Sequence, residues 1–125
     1  MNLLFKIISI TYLIILTFVF LIPLYFFEVS QIITKEQQLS NNTSFLIHLF
    51  LFFILYLFFW FSFSNKKTIL LFCIFYGILI EIMQIFTLRG FQILDILFNI
   101  FGIIIACLFI DYFYQKKIIK NNKII

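Results

Sequence analysis

Four long apolar runs organise the chain: Ile7 to Phe27, Phe45 to Phe63, Thr68 to Phe86 and about Ile93 to Tyr114. A bilayer span needs roughly 20 mostly apolar residues, so each run predicts a transmembrane helix. The stretches between them are an outer loop over 28–44, short turns near 64–67 and 87–92, and a basic tail over 115–125. Asn41 to Ser44 reads as loop with a helix cap ahead of Phe45. The third and fourth runs are interrupted on one side only. Cys73, Gly77, Glu81, Gln84 and Leu88 follow one helix face, and Asp95, Asn99, Gly102 and Ala106 follow another.

Two small-and-polar stripes within Ile, Leu, Phe and Tyr are expected to face each other as a tight antiparallel hairpin. Folding about the turn sets Glu81 opposite Asn99, Gln84 opposite Asp95, Gly77 opposite Gly102, and Cys73 opposite Ala106. Lipid tails are as apolar as leucine, so membrane helices associate through close backbone approach at small residues and through polar pairs. Gly77, Gly102 and Ala106 are the packing positions on this reading.

Composition then fixes the solvent. The chain has 125 residues, enough for one domain, and is 65% hydrophobic with only 11% charged. Its mean hydropathy is +1.19, and a soluble domain of this size cannot hide so much apolar surface. Lys6 ahead of the first run resembles a minimal signal peptide, but the run exceeds a typical apolar h-region and no small-x-small site follows Pro23. It is read as a retained helix. Cys73 and Cys107 lie inside spans without the paired spacing of a zinc or redox site, and are read as buried thiols.

The charge distribution sets an expected orientation. Lys6, Lys66, Lys67, Lys116, Lys117, Lys120 and Lys123 fall in one set of alternating connections, against Lys35 and Arg89 in the other. Seven against two is a positive-inside signal, placing both termini in the cytoplasm and residues 28–44 and 87–92 outside. The net charge of +4 does not imply nucleic acid, because the basic residues are not interleaved with stacking aromatics on a polar face. The tail is expected to rest near anionic headgroups.

The candidate chemistry lies at the outer end of the hairpin, where Glu81, Gln84, Arg89, Gln92, Asp95 and Asn99 gather. Glu81 lies roughly 9 Å below the outer helix end, where an unpartnered carboxylate costs several kcal/mol. A raised pKa, hydrogen bonds from Gln84 and Asn99, or an ion pair with Arg89 could each make it tolerable. Such a set could bind a polar headgroup, a phosphate through Arg89, or a cation through the acids. Its plainer alternative is that the polar residues only specify helix pairing. His48, near the outer start of the second helix, is either an interfacial histidine pointing at headgroups or a member of this cluster. Asp111 and Glu28, at span ends, read as interfacial.

The order Gly77, Glu81, Gln84, Arg89, Asp95, Asn99, Gly102 resembles the signature of the VanZ-like family of small bacterial membrane proteins. In that family E-x-x-Q, Arg, Asp and Asn-x-x-Gly elements join the last two helices of a four-helix unit. The resemblance covers about 26 residues closely and the rest by topology, making residues 1–125 one VanZ-like transmembrane domain. It implies a bacterial inner-membrane protein, and the family's namesake is linked to resistance against the glycopeptide teicoplanin.

Taken together, these readings predict an all-α membrane protein with an outward polar site that contacts membrane lipids, a lipid-linked envelope precursor or a glycopeptide. An acid–base enzyme using Glu81 or Asp95, a small transporter using Glu81 as titrating group, and an accessory subunit stay open as alternatives. Homo-oligomerisation stays open too, and would be required to form a transport pathway. No flavin, haem, nucleotide or metal motif is present, so no cofactor is expected.

Overall fold

The computed structural model describes residues 3–22, 36–87 and 91–122. They form four helices: α1 (Leu3–Leu21), α2 (Glu36–Ser62), α3 (Lys66–Gln84), continued by a 3₁₀ turn at Ile85–Thr87, and α4 (Ile93–Asn122). Among the described residues there is no strand. All four helices contain a stretch long and apolar enough to cross a membrane: Leu3–Leu21, Ser44–Ser62, Lys66–Thr87 and Ile93–Tyr114.

The helix ends depart from the sequence expectation for local reasons. α1 stops at Leu21 rather than Phe27, because Pro23 lacks an N–H donor and biases the residue before it away from helix. α2 begins at Glu36, so Asn41 to Ser44 lies within the helix and is not its cap. Glu-Gln-Gln-Leu is a run of good helix formers. Residues 36–44 of the expected outer loop are helical, and Glu28 and Lys35 lie outside the described residues. α3 starts at Lys66, capped by the Asn65 side chain, which accepts from the Thr68 N–H at 3.3 Å. α4 begins at Ile93 as expected but runs on to Asn122, so most of the basic tail is helical.

α2 is the centre of the bundle, with its most extensive contact against α4. Gly102 is the reason the two come so close: a Cβ there would lie 2.2 Å from the Leu49 carbonyl oxygen and 3.1 Å from the Phe53 nitrogen. Only a hydrogen fits, aimed at a backbone oxygen. The expected Gly77–Gly102 pairing is thus replaced by two separate contacts. Gly77 instead receives the Phe52 ring and the Asn99 side chain, at 3.1 and 3.4 Å from where its Cβ would be. Leu16, Phe20, Phe52, Leu55, Tyr56, Ile69, Cys73, Ile80, Ile103 and Ala106 fill the core. Ala106 and Cys73 are buried there, while Cys107 is half-buried. Residues such as Phe18, Phe75 and Leu108 point outward, as expected of a surface that meets lipid tails.

Polar groups are concentrated at the two ends of the bundle. At the α2–α3 end, the Ser9 and Ser62 hydroxyls touch each other, and each lies within 2.9 Å of the Phe5 and Phe58 carbonyls. Nearby, Lys66 and Asp111 form a half-exposed ion pair at 2.5 Å. Asp111 therefore joins α3 to α4, a partner the sequence did not indicate. The α3–α4 end holds the second polar group.

Candidate functional site

Three helices supply the site. His48 comes from α2, one residue before the carbonyl that Gly102 presses on; Glu81 comes from α3; Asp95 and Asn99 come from α4 at helical spacing. Their placement follows from packing already described, since the close α2–α4 approach brings His48 level with Asn99. All four are buried in an otherwise apolar bundle, with relative exposures of 2% for His48, 0% for Glu81, 6% for Asp95 and 0% for Asn99. Polar side chains at such positions are expensive unless they find each other.

The geometry is centred on the imidazole. His48 Nδ1 lies 3.0 Å from Asn99 Oδ1 and 3.6 Å from Glu81 Oε1, and Nε2 lies 3.6 Å from Asp95 Oδ2. Asn99 reaches α3 as well, its Nδ2 donating to the Gly77 carbonyl at 3.5 Å. One amide therefore ties α2, α3 and α4 together. Asp95 sits in the first turn of α4. Phe20 of α1 forms the floor, its ring 4.6 Å from the imidazole centre and 6.0 Å from Phe52.

Glu81, Asp95, Asn99 and His48 come together, and the reading of His48 as an interfacial histidine is corrected by its burial between two carboxylates. Gln84 is buried but does not face Asp95. Its Nε2 donates to the Phe20 carbonyl at 3.2 Å, in the last turn of α1, where carbonyls look beyond their own helix for donors. Gln92 is exposed, and its carbonyl accepts from the Asp95 N–H at 3.1 Å. Arg89 and Leu88 lie outside the described residues. The contribution of Phe20 was not expected; one phenylalanine among 21 carries no distinguishing mark.

Chemically, an imidazole between two carboxylates can hold a proton, pass one between the acids, or give way to a cation bound by all three. Its buried setting strengthens any such interaction by excluding water. No family model, curated protein or solved structure matches the chain.

Proposed function

We propose that the chain is a VanZ-like integral membrane protein of the bacterial inner membrane, with both termini cytoplasmic. Its outward polar site binds the headgroup of a lipid or lipid-linked envelope precursor, and through it the protein acts in envelope maintenance or resistance to glycopeptides such as teicoplanin. One observation carries the reading. His48, Glu81, Asp95 and Asn99 converge from three helices within an apolar bundle, and ionisable groups inside a membrane usually serve function. The seven-to-two distribution of Lys and Arg supports the outward orientation.

The test is complementation of a deletion strain with wild type and with Glu81→Gln, Asp95→Asn, His48→Asn and Arg89→Ala, each checked for membrane expression. Wild type restores teicoplanin or envelope-stress tolerance, and the well-expressed variants do not. Full complementation by all four would reduce the cluster to helix-pairing.

A second reading is favoured by the ring of His48 standing 3.6 Å from each carboxylate: an intramembrane acid–base enzyme acting on the same headgroups. Mass spectrometry of lipids and glycans from deletion and wild-type strains separates it from simple binding. An enzyme leaves a substrate that accumulates in the deletion strain.

A further inference from the structure

The tautomer of His48 can be read from its neighbours. Asn99 directs its Nδ2 to the Gly77 carbonyl, which leaves Oδ1 facing His48 Nδ1 at 3.0 Å. An amide oxygen accepts, so Nδ1 carries a proton; in the neutral ring Nε2 then presents a lone pair. That lone pair faces Asp95 Oδ2 across 3.6 Å. The separation is too long for an N–H···O bond of about 2.7–3.2 Å. Two ligands of one tetrahedral ion, each about 2.0–2.2 Å from the metal, stand roughly 3.3–3.5 Å apart.

Glu81 approaches the ring at its other nitrogen, with Oε1 3.6 Å from Nδ1. His48, Glu81 and Asp95 can each bring one ligating atom within 4.8 Å of the other two, and all three are more than nine-tenths buried. A divalent ion in an apolar bundle needs anionic ligands to offset its charge, and two carboxylates beside an imidazole can supply them. The Nδ1–H to Asn99 bond is the kind of outer contact that orients metal-bound histidines and fixes their tautomer.

We infer that His48, with one carboxylate oxygen each from Glu81 and Asp95, forms a binding site for a single divalent transition-metal ion. One nitrogen and two oxygens suit Zn²⁺ and, next, Mn²⁺; Mg²⁺ disfavours such a set because it keeps its waters and prefers oxygen alone. Three protein ligands leave a position open to water or to a phosphate oxygen. The inference rests on reading the cluster as a working site and deepens it: the headgroup class becomes a phosphate or pyrophosphate held on the ion. The chain itself hides the site, since its ligands come from separate helices and show no ligand spacing.

The experiment uses the full chain in detergent micelles, stripped with chelator, desalted and titrated with Zn²⁺ alone by calorimetry. Metal content after a second desalting is measured by mass spectrometry. One zinc per chain is expected, with retention weakened at least roughly a hundredfold in Glu81→Gln, Asp95→Asn and His48→Asn, and about 10–100-fold in Asn99→Ala. Asp111→Asn, an acid at the other end of the bundle, keeps full binding. Circular dichroism and thermal melting confirm that each variant is folded. Binding that survives all three ligand variants, or a folded wild type that takes up no zinc, overturns the proposal. Binding of phosphate-bearing lipids is measured in parallel by native mass spectrometry. Lipid binding that depends on Glu81 and Asp95 without zinc refutes the metal and keeps the headgroup reading. Zinc binding without such lipid dependence does the reverse.

Discussion

Replacing Gly102 with alanine tests the packing on which the site depends. The added Cβ would sit 2.2 Å from the Leu49 carbonyl oxygen, 3.0 Å from its carbon and 3.1 Å from the Phe53 nitrogen, whereas ordinary contact begins near 3.4 Å. These are backbone atoms in the middle of α2, so no rotamer change relieves the clash. The two helices must part by about 1 Å at the crossing, an overpacking strain of roughly 1–3 kcal/mol, occasionally more. The gain in helix propensity on replacing glycine, about 1 kcal/mol, offsets only part of a strain at the upper end of that range. Gly77→Ala is the control, because its new Cβ meets the edge of the Phe52 ring at 3.1 Å and Asn99 Cβ at 3.4 Å. Those side chains can give by a few tenths of an ångström, and the net change should stay within about 1 kcal/mol. Equilibrium unfolding in mixed micelles, followed by circular dichroism and the fluorescence of the single Trp60, measures both. Parting α2 from α4 also draws His48, next to Leu49, away from Asn99, so Gly102→Ala should lose site function along with stability. A Gly102→Ala chain as stable as the Gly77→Ala chain would refute the close α2–α4 contact.

Other contacts give equally direct expectations. A double-mutant cycle between His48→Asn and Asn99→Leu should show a coupling of about 1 kcal/mol for their buried hydrogen bond; additive effects would mean the two do not interact. Gln84→Leu removes the donor to the Phe20 carbonyl and should lower unfolding stability by about 1 kcal/mol, with no loss expected only if that carbonyl is satisfied without it. Removing Lys66 or Asp111 should cost less than about 1 kcal/mol, because both side chains are about 40% exposed. High salt should erase the difference from wild type, and a larger, salt-insensitive loss would contradict a half-solvated pair.

The four spans were legible because length and hydropathy suffice to define them. Their ends were less so. Residues 36–44 are polar and read as loop, yet helix propensity carries α2 through them. Glu81, Asp95 and Asn99 were legible as a cluster because each interrupts an apolar helix on its packed face. What sequence periodicity could not supply was the partner of Gly102. A glycine stripe suggests another glycine, but the contact is made to the Leu49 carbonyl, and a backbone atom leaves no mark in a sequence. The two readings of His48 stayed open for the same reason: with α4 assigned to α3, no packing argument drew α2 toward the cluster. A signal was nonetheless present, since His48 is the single histidine in the chain and lies at the level of the acids.

The serine contact at the far end of α1 acts as a register mark. α1 meets its neighbours through polar groups at four levels: Ser9 with Ser62 and the Phe58 carbonyl, Tyr12 with the Leu51 carbonyl, Thr17 with the Tyr76 hydroxyl, and the Phe20 carbonyl with Gln84. Sliding an apolar helix by one residue, about 1.5 Å of rise and 100° of turn, changes little against lipid. Here the same slide would break all four contacts at once, so intermediate positions have nothing to hold them. α1 is thereby seated in a single notch, and the seating of the Phe20 ring under His48 is governed in part by two hydroxyls about 16 Å further down the helix.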